Sequence, residues 1–68
     1  MRYAVIFEKS ETSYGAYVPD VPGCVASGES LAEAKTLITE ALKRHIAEMK
    51  AQGLKTPEPS SVVGYIEA

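Results

Sequence analysis

The chain has one cysteine, one histidine and no tryptophan among its 68 residues. A single cysteine excludes a disulfide within the chain. One Cys and one His leave a tetrahedral metal site short of ligands. No Ser, Cys or second His is set beside His45 to make a nucleophile and base pair. There is no basic run either: seven Lys and Arg face nine Asp and Glu, for a net charge of −2. An electrostatic grip on nucleic acid or anionic lipid therefore has no visible basis. The longest apolar run near the start, Tyr3 to Phe7, is too short for a signal peptide or a membrane span. One unpaired thiol and no export signal point to the cytoplasm. No internal repeat or low-complexity tract is present.

What the chain does have is a 46% hydrophobic fraction, ordinary for a folded domain. Its length predicts one domain, residues 1–68. A single core of this size rarely supplies more than roughly 3–5 kcal/mol. With no disulfide or metal to add to that, close packing combined with self-association is expected.

Arg2 to Lys9 is rich in aromatic and β-branched residues and predicts a strand. Tyr3, Val5 and Phe7 share one face, Ala4 and Ile6 the other. The polar SETS stretch suits a hairpin turn, and Ser13 to Val18 predicts a second strand with Tyr14, Ala16 and Val18 opposite Gly15 and Tyr17. A stiff connector follows. Pro19 holds Val18 extended, and Asp20 is expected to bond a nearby backbone N–H and start a turn. Pro22 and Gly23 are the preferred central pair of a type II turn. Cys24 to Ala26 predicts a short third strand.

Ser30-Leu31-Ala32-Glu33 fits a capping box. Leu31, Ala34, Ile38, Ala41, Leu42, Ile46 and Met49 then recur at helical spacing. Gly53 is placed as the residue ending this helix. The helix would run about 22 residues, or ~33 Å, longer than a six-residue strand of ~20 Å. Its last turns, with Ile46 and Met49, would overhang the sheet. A second stiff connector, LKTPEPSS, leads to SVVGYIEA, which reads as a fourth strand apolar on both faces. The fold class is thus α+β in the order β-β-β-α-β, with one helix on one face of a four-stranded sheet. The open face would show residues from the set Ala4, Ile6, Tyr17, Val63 and Tyr65, or their alternates, and an open apolar face is a binding surface or a dimer interface.

Four pieces together resemble the short HicB-like antitoxin domain: YAVIFEK, AYVPDVPGCVASGES, EALKRHIAEMKAQG and PEPSS. The run Pro19-Asp20-Val21-Pro22-Gly23-Cys24 is the most specific. The resemblance implies a partial RNase H-like fold. It implies no enzyme activity and no cofactor, but binding to a HicA-type toxin, a small RNA-cleaving protein that carries its own catalytic histidine. Many members also carry a C-terminal DNA-binding segment; this chain departs from that pattern and is expected to be a short form without it.

The expected contact surface combines the open sheet face, the connector and the helix overhang: Tyr17, Asp20, Pro22, Cys24, His45, Met49 and Tyr65. Each has a plainer reading. His45 sits at the edge of the apolar stripe and is expected to be partly buried with its ring N–H satisfied. Cys24 reads as a small buried hydrophobe. Glu8, Glu11, Asp20 and Glu33 do not converge as two-metal phosphodiester chemistry requires. Tyr14, Tyr17 and Tyr65 have no interleaved Lys or Arg for stacking RNA, so core or protein contact is expected of them. The reading of a different class is an orphan module that self-associates, as a homodimer or higher oligomer, and has no toxin.

Overall fold

The structure, a computed structural model, describes residues 1–68. Three short strands and one long helix follow in chain order: β1 Ile6–Lys9, β2 Tyr14–Tyr17, β3 Val25–Gly28 and α1 Leu31–Ala51. The strands form an antiparallel meander in the order β1-β2-β3. The register places Ile6 opposite Tyr17 and Phe7 opposite Ala16. Ala16 in turn lies opposite Ala26, and Tyr17 opposite Val25.

Side chains alternate across a sheet, so this register decides what each face carries. The helix face takes Tyr3, Val5, Ala16, Val18 and Ala26, all in or against the buried cluster. The open face takes one apolar row, Ile6, Tyr17 and Val25, and beside it the row Glu8, Gly15 and Ser27. The open face is therefore only partly apolar.

The core is small. Ala16, Val18, Val21, Cys24 and Ile38 form the buried cluster, with Leu42 and Ile46 packed against it. Ile38 and Val21 are the largest fully buried side chains. Burying such a side chain stabilises a fold by about 1.5–3 kcal/mol. Val21 comes from the connector, so this loop is part of the core.

The helix begins and ends as its caps dictate. The Ser30 Oγ accepts the Glu33 N–H at 3.1 Å. The Glu33 carboxylate accepts the Glu29 N–H at 2.7 Å, one residue earlier than the capping box predicts. At the other end Gly53 has φ +72°. Its N–H donates to the Lys50 carbonyl, and the Leu54 N–H donates to the Met49 carbonyl, which completes a Schellman motif. Leu31, assigned to the apolar stripe by spacing, is half exposed.

The fourth strand is a correction. Residues 61–68 form no strand, and Val62, Tyr65 and Ile66 are 94%, 94% and 95% exposed. A strand apolar on both faces needs a ladder partner and cover. This stretch pairs with no strand: Val62 and Val63 only line a cleft beside Arg2 to Ala4, and Tyr65 and Ile66 are uncovered. No helix is long and apolar enough to cross a membrane.

Candidate functional site

The connector between β2 and β3 is built by its own backbone. The Val21 N–H donates to the Val18 carbonyl, which closes a turn over Pro19 and Asp20. The Cys24 N–H donates to the Val21 carbonyl, which closes a second turn over Pro22 and Gly23. Gly23 has φ +84°, as the second central position of a type II turn requires. The Val18 N–H reaches the Cys24 carbonyl and ties the two ends together. The outcome is a rigid bend whose apolar residues Val21 and Cys24 point in, while Pro22 and Gly23 point out.

Asp20 does more than start a turn. Its Oδ2 accepts the Ser60 and Ser61 N–H groups, each at 2.9 Å. Its Oδ1 accepts the Ser60 hydroxyl at 3.1 Å and the Ser61 hydroxyl at 2.8 Å. One carboxylate thus holds a pair of serines forty residues further along the chain. The Ser61 N–H, followed by its hydroxyl and the Ser60 groups, lowers the Asp20 pKa to about 2. The tie is assisted by Tyr3, whose hydroxyl donates to the Pro57 carbonyl. Pro57 and Pro59 hold the incoming segment stiff.

This geometry sets a pH prediction. The folded pKa lies below the ordinary 3.8. Its stabilisation is therefore fully present above pH 3.8 and is lost as pH falls toward about 2. The Ser60 and Ser61 amide resonances are expected to shift together with a midpoint near pH 2, and in Asp20→Asn to lose that titration. A midpoint at 3.8 or above would show that the tie does not form in solution.

The seven residues singled out by sequence do not gather on one face. Asp20, Pro22 and Cys24 lie together on the connector, and His45 joins them: its Cε1 is 3.9 Å from where a Cβ on Gly23 would sit. Met49 is one helical turn further on, on the same side of α1. Tyr17 is on the open sheet face, 38% exposed, and Tyr65 is on the free stretch. His45 is half-buried. Cys24 is 2% exposed, and burial raises its thiol pKa, so it acts on this surface only from beneath. No group of three or more His, Cys, Asp or Glu side chains converges on a metal position.

Sequence reasoning missed two features. One is the serine pair as the partner of Asp20. The other is a groove of about 540 Å³ between α1 and the segment before β1, floored by Tyr3, Val5, Leu42 and Ile46, with Lys43 and Lys50 at its margin. The helical spacing of Leu42 and Ile46 was legible, but not that their cover is incomplete.

Comparison with known proteins places this architecture. The model of a family described as HicB-like antitoxin of bacterial toxin-antitoxin systems matches residues 3–68. The chain belongs to the HicB-like antitoxin family. A UPF0150 protein of Helicobacter pylori strain J99 is 36% identical over 63 residues, covering 91% of this chain and 88% of its own. An uncharacterised 14.9 kDa protein of Haemophilus phage HP1, from the rep-hol intergenic region, is 36% identical over 66 residues. That match covers 97% of this chain but 50% of the phage protein, so the chain spans about half the length of this relative. Among solved structures, a chain of the HicA3 and HicB3 toxin-antitoxin complex matches with a TM-score of 0.72 and 27% identity, over 87% of this chain and 70% of that one. This HicB-like chain is an α+β protein of an antitoxin family, and that family is not enzymatic.

Proposed function

We propose that this HicB-like chain neutralises a HicA-type, mRNA-cleaving toxin by direct protein contact, in the cytoplasm, and that it acts as a homodimer or higher oligomer. The single observation that carries the reading is the likeness, over 87% of the chain, to a structure solved as a toxin-antitoxin complex. Physical features support it. The net charge of −2 suits a basic partner. The row Ile6, Tyr17 and Val25 offers an apolar strip, with Val25 65% exposed. The connector carrying Asp20, Pro22 and Cys24, backed by His45 and Met49, is rigid and loses little entropy on docking. The partial RNase H-like arrangement, with residues 61–66 as a fourth strand, belongs to the same proposal and would be completed on association.

The test is co-expression with a candidate toxin, followed by co-purification and a growth assay. A stable complex and restored growth are expected. Tyr17→Asp is expected to weaken the complex at least tenfold, because it puts a charge in the middle of the apolar strip, while leaving the fold intact. Full binding by Tyr17→Asp would move the interface off the open face. An unrescued toxin that ignores the chain would sink the antitoxin reading. The second reading, a self-associating module without a toxin, is favoured by the exposed apolar stretch Val62 to Ile66.

A further inference from the structure

We propose that residues Val62–Ile66 are an arm that pairs with the outer edge of β1 in a second copy of this chain, and that two copies exchange arms. The inference rests on the self-association proposed above and says how it is achieved.

Two deficits in one chain point to it. The first is an unfilled backbone edge. In the order β1-β2-β3, β1 is hydrogen-bonded on one side only. A strand edge of this kind is a template for another strand. The second is a bare apolar segment. Val62, Tyr65 and Ile66 are 94–95% exposed and Val63 is 52% exposed. Nothing lies within 4 Å of a Cβ built on Gly64. Val62-Val63-Gly64-Tyr65-Ile66 is apolar on both faces of an extended chain and spans ~17 Å, enough to cover the edge of β1, Ile6–Lys9.

The arm is also aimed. Its root is fixed by four hydrogen bonds from Ser60 and Ser61 to Asp20. Ser61, Val62 and Val63 share a shallow cleft with Arg2, Tyr3 and Ala4, which lead into β1. The arm therefore leaves the molecule on the β1 side of the sheet and not on the β3 side. A held root cuts the ordering cost of pairing. The arm's own root occupies the Arg2–Ala4 stretch, whereas the edge of Ile6–Lys9 is free, which is where a second copy's arm fits.

The occupant is a second copy because one chain carries both halves of the contact. A two-fold arrangement satisfies both edges and both arms at once. Burying Val62, Tyr65 and Ile66 in two arms, at on the order of 100 Å² per side chain, removes about 600 Å² of surface. The covered edges lose a similar area, which together reaches the lower end of the ~1,200–2,000 Å² range of specific interfaces.

The test uses the full chain in sedimentation equilibrium, beside Tyr65→Asp and Ile66→Asp. A dimer is expected, weakened at least tenfold in both variants. These side chains touch almost nothing within one copy, so unchanged thermal melting of the monomeric fraction is expected and separates association from folding. A second experiment mixes a Glu8→Cys chain with an isotope-labelled Tyr65→Cys chain under mild oxidation, and a mixed disulfide between the two chains is expected by mass. A doubly substituted chain that closes only on itself would overturn the exchange and put the arm on its own sheet. A dimer that forms no mixed disulfide and ignores both aspartates overturns arm exchange but leaves self-association standing. A monomeric parent chain overturns both. Loss of toxin binding in the arm variants with unchanged self-association would give the arm to the toxin and overturn the proposal.

Discussion

Ile38→Ala is expected to unfold much of the chain at room temperature. Ile38 is 2% exposed and sits on α1 against Ala16, Val18, Val21 and Cys24, at the point where helix, sheet and connector meet. Truncating a buried isoleucine to alanine costs about 2–5 kcal/mol, the transfer loss plus the cavity left behind. A domain of this size has a total stability of roughly 3–5 kcal/mol. The two figures are comparable, so one side chain decides whether the molecule is folded. Urea unfolding followed by circular dichroism, at fixed protein concentration, measures this. The control is Lys35→Ala, at an exposed site on α1, where a change within about 0.5 kcal/mol is expected. A loss below about 1 kcal/mol for Ile38→Ala would show that the core is centred elsewhere.

Gly28→Ala is the second large effect expected. Gly28 ends β3 and is buried. A Cβ there would stand 2.8 Å from the Ala34 backbone nitrogen and 2.9 Å from the Glu33 carboxylate. The carboxylate can swing away, at the cost of the bond it accepts from Glu29. The Ala34 nitrogen cannot, since its N–H already bonds the Ser30 carbonyl within the first turn of the helix. The helix must then lift off the sheet. Overpacking of this kind costs about 1–3 kcal/mol. Glu33→Ala, which removes only the bond it accepts from the Glu29 N–H, is expected to cost about 0.5–1.5 kcal/mol. Gly28→Ala should therefore exceed Glu33→Ala in the same unfolding experiment. Equal losses would mean that the close approach is relieved by the carboxylate alone.

These two sites differ in how legible they are. Ile38 was visible as one of a set at helical spacing, because burial on one helix face leaves a period in the sequence. Gly28 carried no such sign, since a close approach between strand and helix depends on how the two are packed. The capping box, the Pro22-Gly23 turn and the Gly53 stop were equally legible, for they are satisfied by backbone within a few residues. The faces of the first two strands followed from alternation and agree with the observed register.

The candidate contact surface was only partly legible. The sequence left two alternative sets for the open face; the register puts the one with Tyr17 there, and the apolar strip around it is a single row, since Glu8 and Ser27 occupy the next one. His45 beside the connector turn could not be read, because Gly23 and His45 are brought together by the crossing of helix over sheet. The antitoxin family itself was recognisable from the connector, and the comparisons bear that out.

By itself, then, the sequence determined the meander, the helix with both of its ends and the rigid connector, all of which rest on local torsions and near-neighbour hydrogen bonds. It also determined that residues 62–66 are apolar and need cover. The tertiary structure decided what could not be local: that Asp20 holds Ser60 and Ser61, that Val21 of the connector is core, and that the last apolar stretch does not close this sheet as a fourth strand. A period in the sequence says that a face must be buried. Only the packed chain shows which surface is left to bury it, because that depends on contacts between segments whose separation along the chain carries no periodic signal.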